Sequence, residues 1–371
     1  MLNRLRKEID EIDTQLLALF ERRMDVSKQV GAYKKERNLP VLVPEREQMV
    51  IKSRMEATNN PAYKDLVADF FNDVMTLSRR LQQQNMPVVP KSVPQTEILR
   101  AGYLGRPGSY SEEALYDLFP NTKEAIPADS FSAVLNLLTE NKVDVCVLPV
   151  ENTSTGNIED VMDLVHSHGW YITAETTVSI RHALAAPTGA ALADIRQIYS
   201  HPQGFLQCAD FLGTLENIEK IPLASTADSA LSVSESGDVT KAAIVSPRGA
   251  KLYGLTVLKE NIQSVNTNTT RFIAVSKNMT APSEADVVSI VFTLPHESGS
   301  LYEALSIFSK NSLNIIYIQS RPYPGRQFEY RFFVDFAGHV DDPNVQKTLE
   351  ELRDHTVEMR VLGCYPSARE H

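Results

Sequence analysis

The chain of 371 residues is 43% hydrophobic and 23% charged, which is the composition of a soluble globular protein with two or three domains. Its formal net charge of −10 argues against a nucleic-acid partner, and no apolar run approaches the roughly 18 residues of a membrane span. Cys146, Cys208 and Cys364 have the spacing of neither a zinc site nor a disulfide framework. The charged N-terminus also lacks a signal-peptide core, so we expect a protein of the reducing cytoplasm. Since the cysteine spacing offers no zinc site, we expect no metal.

Residues 1–85 predict three helices, because they contain a single glycine, Gly31, and apolar residues spaced by threes and fours. The first helix covers residues 2–37 and, at 1.5 Å per residue, is roughly 50 Å long, about twice the width of so small a domain. A second copy of the chain is therefore expected to pack along it. The second helix begins at Pro44, and the third covers residues 61–84. The apolar stripe of the first helix is Leu5, Ile9, Ile12, Leu16, Leu19, Val26 and Val30, and the expected inward-facing residues of the third are Leu66, Val67, Phe70, Phe71, Val74, Leu77 and Leu81.

Polar side chains interrupt these stripes. Arg23 occupies an apolar position of the first helix, and Lys34 lies one turn past Val30 on the same face. A buried cation needs a partner, and a lone arginine at such a position commonly forms a salt bridge where two helices cross. Ser78 and Gln82 end the stripe of the third helix, so several cations and donors meet in one helical domain. This combination predicts a pocket for a small dianion, to which Arg6, Arg46 and Glu47 can also contribute.

The segments LRKEIDEID, LLALFERR, VGAYK, PEREQ and SRRLQ resemble, in this order, the all-helical chorismate mutases. The resemblance implies an intertwined homodimer in which Arg6 reaches the site of the other copy. Val43 stands where the family often has Asp, a position that contacts substrate through either its backbone N–H or its side chain. The implied chorismate-binding residues are Arg6, Arg23, Lys34, Val43, Arg46, Glu47, Ser78 and Gln82.

The resemblance also implies a role for each group. Arg6 and Arg23 bind the two carboxylates of chorismate, Lys34 and Gln82 act on its ether oxygen, and Glu47 binds the ring hydroxyl. The rearrangement is unimolecular and needs no cofactor, so the protein assists by holding a compact conformer. It also stabilises the negative charge that grows on the ether oxygen as the C–O bond breaks.

Residues 86–98 contain three prolines and predict a linker, after which short β-branched runs alternate with helical patterns, as in α/β domains. Hydroxyl-rich segments recur in this region. Any one of them would ordinarily be a capped helix start, but five in one domain predict polar loops that meet at a cleft. They are residues 105–115, 151–156, 200–203, 224–226 and 268–272.

The segments ENTSTGNIEDV, SHPQGFLQC and TTRF resemble the prephenate dehydratases, and the resemblance covers residues 99–277. It implies two α/β subdomains, like a type II periplasmic binding protein, with the active site between them. Thr270 is expected to donate a hydrogen bond to the leaving hydroxyl, with Arg271 as the local cation and His201 as a weaker candidate. The expected prephenate-binding residues are Ser109, Ser111, Glu151, Asn152, Thr153, Ser154, His201, Ser225, Thr270, Arg271 and Phe272.

Residues 287–365 read strand, helix, strand, strand, helix, strand, which predicts a ferredoxin-like βαββαβ unit and resembles an ACT domain. The segments GSLY and QSRP stand where dehydratases have their phenylalanine-binding motifs, and Gln319 replaces a Glu. A module that only dimerises is the alternative. The expected allosteric residues for L-phenylalanine are Gly299, Leu301, Asn314, Gln319, Ser320 and Arg321.

Two other functions remain open at this point. A mutase fused to a prephenate dehydrogenase would need a dinucleotide fingerprint, and Gly102, Gly105 and Gly108 have the wrong spacing for one. A non-catalytic amino-acid sensor would leave the helical constellation unexplained. We therefore expect a multidomain enzyme with an all-α mutase module, an α/β dehydratase module of two subdomains and an α+β ACT module. It would convert chorismate to prephenate and then to phenylpyruvate, under feedback inhibition by phenylalanine.

Overall fold

The computed structural model describes residues 1–37, 41, 44–83, 87–94, 96–158, 161–323 and 329–368, apart from the side chains of Pro44, Glu45, Gln83 and Asn157. The chain divides into two units. The first holds residues 1–93, 166–169 and 286–364, and the second holds residues 94–165, 170–285 and the chain from Tyr365 onward. Every helix within the described ranges is too short or too polar to serve as a membrane span.

The first unit begins with three helices, α1 (Leu2–Glu36), α2 (Pro44–Glu56) and α3 (Lys64–Gln83). The expected third helix starts as a 3-10 turn, Pro61–Tyr63, because Asn60 Oδ1 accepts from the Ala62 N–H at 3.1 Å and proline occupies the first position. Its expected end, Gln84, lies outside the described residues.

The apolar stripe of α1 faces solvent in the single chain, where its seven residues are 40% to 62% exposed. On α3 the structure corrects the expected inward face. Leu66, Phe70 and Leu77 are 64%, 52% and 45% exposed, while Val74 is buried. The reason is that α1 and α2 both pack against α3 but leave Leu66, Phe70 and Leu77 uncovered.

The chain of the second unit alternates strands and helices, as expected. Its first half forms β1 (Arg100–Leu104), α4 (Tyr110–Leu118), β2 (Glu124–Ala128), α5 (Phe131–Thr139), β3 (Val145–Asn152), β4 (Gly156–Asn157), α6 (Val161–Ser167) and β5 (Tyr171–Ser179). Its second half forms β6 (Ala183–Ala186), β7 (Gln197–Ser200), α7 (Pro202–Gln207), α8 (Ala209–Leu212), β8 (Glu219–Pro222), α9 (Thr226–Ser236), β9 (Lys241–Val245), α10 (Pro247–Leu252), β10 (Thr256–Lys259) and β11 (Thr269–Ser276).

These strands form two sheets, which agrees with the expectation of two α/β subdomains. In the first, with order β5-β11-β3-β1-β2, strands β1, β2 and β3 are parallel, and β11 runs antiparallel between β3 and β5. In the second, with order β10-β6-β9-β7-β8, β7 is parallel to both neighbours. Tyr103, Leu115 and Phe272 belong to the core on the first sheet, and Leu184 and Ile198 to a core on the second. The chain returns to the first sheet through β11, so residues of that strand lie beside β3.

The first unit resumes with β12 (Val287–Thr293), α11 (Ser300–Lys310), β13 (Ile315–Pro322), β14 (Tyr330–Ala337), α12 (Pro343–His355) and β15 (Glu358–Tyr365). The strand order is β13-β14-β12-β15, with β14 antiparallel to β12 and β13. This is the predicted βαββαβ connection of a ferredoxin-like unit.

Candidate active sites

The helical cluster centres on Arg23 of α1 and Ser78 of α3. Arg23 Nη1 donates to Ser78 Oγ and, at 3.3 Å, to the carbonyl oxygen of Val74. Ser78 is buried, and its own Oγ donates to the same carbonyl at 2.8 Å. The structure therefore brings together two residues that are 55 positions apart and holds the guanidinium at the crossing of α1 and α3.

Lys34 lies further along the same helix, where its Nζ donates to the carbonyl oxygen of Val41 at 2.7 Å. Burial lowers the pKa of both Lys34 and Arg23, and the negative charge of Glu47 opposes this shift. Two partly desolvated cations thus lie within the electrostatic field of one carboxylate. Burial deprives both cations of stabilisation by water, and an anion that binds in the cluster replaces it.

Gln82 completes the inner wall of this cluster. It is buried, and within the described part of the chain its Oε1 has no hydrogen-bond partner. Gly31 of α1 packs directly against it, since a Cβ at position 31 would lie 3.0 Å from Gln82 Cγ. Gly31 is therefore needed so that α1 can approach α3 closely at this point.

Glu47 of α2 forms an ion pair that the sequence did not indicate. Its carboxylate accepts from Arg79 Nη1, and Arg79 Nη2 also donates to Thr76 Oγ1 at 3.0 Å. Arg79 follows Ser78 directly in the SRRLQ segment. In the sequence, the signal that could have indicated this ion pair is the pair Arg79 and Arg80 at the end of an otherwise apolar helix face.

Three expected mutase residues are not joined to this cluster in the single chain. Arg6 and Arg46 are exposed. Arg6 lies on α1 about 25 Å from Arg23, because 17 residues of helix separate them. Val43 lies outside the described residues. The cluster therefore consists of Arg23, Lys34, Glu47, Ser78 and Gln82, with Arg79 added.

In the second unit, Thr270 of β11 lies beside Asn152 at the end of β3, which it faces in the strand pairing. Asn152 Nδ2 donates to Thr270 Oγ1 and to Asn268 Oδ1, each at 2.8 Å. Asn152 Oδ1 accepts from the N–H groups of Ser154 and Thr155 at 2.9 and 3.1 Å. Asn268 is buried. Its contact with Asn152 was not predicted, because an Asn directly before a strand is typical of a turn.

Arg271 and Phe272 do not share the surroundings of Thr270, which corrects their expected roles. Arg271 Nε pairs with Glu175 Oε2 at 2.7 Å, and its Nη2 is 3.2 Å from Tyr365 Oη, all in buried positions. Phe272 is 2% exposed and packs in the core with Tyr103. Successive side chains of a strand point to opposite faces of the sheet. Arg271 directly follows Thr270 in the TTRF segment, so the two side chains lie on opposite faces.

The other hydroxyl-rich segments mostly begin helices. Ser109 Oγ accepts from the Glu112 N–H at 3.4 Å, and Ser225 Oγ accepts from the Asp228 N–H at 3.0 Å. His201 Nδ1 accepts from the Gln203 N–H at 3.1 Å, so this imidazole caps α7. Ser111 is buried in the first turn of α4, Glu151 is half-buried, and Thr153 and Ser154 are exposed. Thr153 Oγ1 accepts from the Thr269 N–H at 2.9 Å, which ties this loop to β11.

The loop after β1 approaches the helix starts of the second sheet. Arg106 forms an ion pair with Asp228, and Ser246 Oγ donates to the Gly108 carbonyl at 3.3 Å. Gly108 has φ +84°, and a Cβ there would lie 3.1 Å from Gly249 Cα. Both the left-handed backbone and the close approach require glycine at this position. The two subdomains thus touch where the loop leaves the carboxyl end of β1, the same sheet edge at which β3 delivers Asn152.

The expected phenylalanine-binding residues lie at two places in the βαββαβ part. Gly299 caps α11 with φ +92°, and Leu301 is exposed beside it. On β13, Gln319 Oε1 accepts from Tyr317 Oη at 2.7 Å, and Ser320 is exposed. Arg321 is half-buried and Asn314, which precedes β13, is exposed.

Residues 101–280 match the prephenate dehydratase family, and residues 5–83 match the family of type II chorismate mutases. A bifunctional chorismate mutase/prephenate dehydratase of Aquifex aeolicus (strain VF5) is 30% identical over 373 residues, which cover 99% of this chain and 98% of the relative. The crystal structure of prephenate dehydratase from Arthrobacter aurescens in complex with L-Phe is 31% identical with a TM-score of 0.66, and it covers 72% of this chain and 90% of that one.

A structure of GqqA, described as a quorum quenching acylase, is 27% identical with a TM-score of 0.67, and it covers 72% of this chain and 98% of that one. One fold thus carries more than one activity, so the family assignment rests on the likeness across the whole chain. The Aquifex relative matches this chain over both the helical residues and the α/β residues, and each of these parts contains one of the two polar clusters described above. The chain therefore belongs to the family of bifunctional chorismate mutase/prephenate dehydratases.

Proposed function

We propose that this chain catalyses two successive reactions in the cytoplasm. Residues 1–85 rearrange chorismate to prephenate, and residues 99–277 convert prephenate to phenylpyruvate, with residues 86–98 as the linker. The observation that carries the proposal is that both family matches fall on parts of the chain with their own buried polar cluster. The three buried, free thiols fit a reducing compartment.

In the mutase reaction, Arg23 and the partner's Arg6 bind the two carboxylates of chorismate. Lys34 and Gln82 donate to the ether oxygen, where negative charge grows as the C–O bond breaks. Lys34 keeps two further N–H groups while it binds the Val41 carbonyl, so it can serve both. Glu47 accepts a hydrogen bond from the ring hydroxyl, Ser78 holds Arg23 in place, and Arg46 and Val43 border the substrate.

In the dehydratase reaction, the ring hydroxyl leaves with the electrons of its C–O bond while the C–C bond to the carboxylate breaks. The electrons of that C–C bond close the aromatic ring, and carbon dioxide departs. Thr270 donates a hydrogen bond to the departing hydroxyl. Its Oγ1 already accepts from Asn152, so its single proton is available for this bond. The charge that Arg271 would supply is engaged by Glu175, so substrate carboxylates need other donors, such as the helix starts at Ser109 and Ser225.

A homodimer is supported by the uncovered stripe of α1, which is long, continuous and apolar. Exposed apolar surface on this scale marks a protein interface. The βαββαβ part adds exposed Leu301, Tyr302, Ile318 and Tyr330, which suit a second contact between copies.

Residues 287–365 form, in this proposal, an ACT domain that binds L-phenylalanine and inhibits the enzyme. The support is that the Arthrobacter aurescens relative was crystallised in complex with L-Phe. The sites would be the segments around Gly299 and Ser320. Inhibition requires that phenylalanine bind a less active arrangement better than the active one.

The test is to incubate the full chain with chorismate, without nucleotide or metal, and to follow prephenate and phenylpyruvate with time. We expect both products in this order, and inhibition by added L-phenylalanine. Prephenate that accumulates without phenylpyruvate would leave only the mutase. Formation of 4-hydroxyphenylpyruvate only when NAD is added would indicate a dehydrogenase, and no turnover would indicate a binding protein.

A further inference from the structure

Arg79 joins two carboxylates that belong to different parts of the first unit. Its Nη1 donates to Glu47 of α2, and its Nε lies 3.4 Å from Glu358 Oε1 at the start of β15. The contact with Glu358 is an ion pair without hydrogen-bond geometry. The side chains of Arg79, Glu47 and Glu358 are 11%, 24% and 10% exposed, so water screens this triad weakly.

The electrostatics show how closely the three groups are linked. Burial acts to lower the pKa of Arg79, but Glu358 and Glu47 together outweigh it and raise that pKa. The guanidinium therefore stays charged at every working pH, and it lies beside both carboxylates. Because one cation serves two anions, a displacement of Glu358 changes how Arg79 holds Glu47.

Glu47 in turn acts on the substrate cations. Its charge opposes the effect of burial on Arg23 and on Lys34, which places its carboxylate in the field of both. The position of the Glu47 carboxylate thus helps to set the field into which chorismate binds. Arg79 is also held to its own helix, because its Nη2 donates to Thr76 Oγ1 at 3.0 Å.

We infer that Arg79 is a positioning residue of the mutase reaction, which fixes the Glu47 carboxylate and connects it to Glu358 of β15. The inference rests on the proposed mutase function and deepens it. The βαββαβ part then contacts the mutase site directly through this triad, in addition to its connection along the chain. The linker of residues 86–98 does not isolate the mutase from that part.

The experiment uses the full chain and measures kcat and KM for chorismate and, in the same samples, prephenate turnover. We expect Arg79→Met to lower mutase kcat/KM by about tenfold or more, and Arg79→Lys, which keeps the charge but not the fork, to recover part of it. The matched control is Arg80→Met, at the exposed neighbouring arginine of the same helix, and it should change mutase kcat/KM by less than about twofold. Unchanged prephenate turnover reports that the protein is folded.

A double-mutant cycle separates positioning from a purely structural role. In a Glu47→Gln background, Arg79→Met should change kcat/KM by less than about twofold, because its effect passes through Glu47. Additive losses, or equal losses from Arg79→Met and Arg80→Met, would overturn the inference.

The link to β15 is tested by Glu358→Gln, which removes the charge and keeps the shape. In the wild-type background, it should alter mutase kcat/KM by about threefold or more. In a chain that already carries Arg79→Met, it should have no effect. An unchanged mutase in Glu358→Gln would overturn the connection to β15. A wild-type chain that does not turn over chorismate would overturn the proposed function itself, whereas an active wild type with additive variants overturns the inference alone.

Discussion

Asn152 and Thr270 are locked in one hydrogen-bond polarity. The backbone N–H groups of Ser154 and Thr155 fix Asn152 Oδ1 as the acceptor, so the amide nitrogen must face Thr270 Oγ1, 2.8 Å away. Because Asn152 donates, the threonine hydroxyl accepts on that side and its proton is directed elsewhere. Thr270 thus acts as an acceptor towards Asn152, and its proton can be donated only to another group.

Replacing Thr270 with Val keeps the branched shape and removes the proton. We expect Thr270→Val to lower prephenate turnover by about 100-fold or more, the usual effect of losing a positioned donor, and Thr270→Ser to retain a measurable part. Chorismate turnover in the same preparation serves as the control. Near-normal prephenate turnover in Thr270→Val would assign the donor role to another residue.

The polarity itself can be reversed with Asn152→Asp, which is nearly isosteric. An ionised carboxylate at this position accepts a hydrogen bond from Thr270 and withdraws its proton from the substrate. We therefore expect little prephenate turnover at neutral pH and partial recovery as the pH falls and the carboxyl becomes protonated. A pH profile parallel to that of the wild type would show that the direction of this hydrogen bond is unimportant.

The alkaline limit of the mutase should report on Lys34. Burial lowers the pKa of this ammonium group from its ordinary 10.5. In the proposed reaction, the charged form is the one that assists the ether oxygen. Activity is therefore present below the pKa and lost as the pH rises through it, at a lower pH than for a free lysine. Bound chorismate is a dianion and favours the charged form of Lys34. The alkaline decrease of kcat/KM should therefore occur at a lower pH than the alkaline decrease of kcat. Lys34→Gln should lower kcat far more than it raises KM, and a rise in KM alone would make Lys34 a carboxylate anchor.

Subunit mixing tests whether Arg6 and Arg23 act from different copies. Arg6→Ala and Arg23→Ala should each abolish chorismate turnover and spare prephenate turnover. If the two variants are co-expressed, half of the dimers are mixed and each mixed dimer has one intact site, so about a quarter of the wild-type mutase activity should return. Absence of any recovery would place both arginines in the same copy or leave Arg6 outside the site.

Phenylalanine binding should respond to the charge at position 319. Gln319 accepts a hydrogen bond from Tyr317, and Gln319→Glu keeps that bond while it adds a carboxylate for the ligand ammonium group. We expect the variant to bind L-phenylalanine several-fold more tightly in calorimetry and to be inhibited at lower concentrations. Ser320→Ala should relieve the inhibition. Equal affinity of Gln319→Glu and wild type would show that the ligand amine lies away from β13.

The element order was predictable because its signals are local. Pro44 begins α2 and Ser109 caps α4, as the sequence indicates. The uncovered stripe of α1 was also predictable, because a helix of that length outruns a small domain. On α3, however, periodicity identified the apolar residues without showing which of them a neighbour would cover.

The polar contacts were harder to predict because their partners are distant in sequence. Arg271 was assigned to the site with Thr270, but its partner Glu175 lies 96 residues away on β5 and takes it to the other face of the strand. Likewise, the residues near Arg79 in the sequence do not indicate that it forms an ion pair with Glu358. Motifs identify which short segments matter, whereas the alternation of a strand and its neighbours decides which side chain of a segment faces the substrate.

The last described residues return to the second unit, because the first unit ends at Cys364, one residue before the end of β15. Tyr365 Oη lies 3.2 Å from Arg271, while Ser367 Oγ and the Ala368 N–H reach Glu175 Oε1 at 3.2 and 2.9 Å. The βαββαβ part is therefore a segment inserted between two stretches of the second unit. Exchange of this segment between relatives needs two junctions, near Asp286 and Cys364, and a chimera that stops at Cys364 would expose the buried Arg271–Glu175 pair.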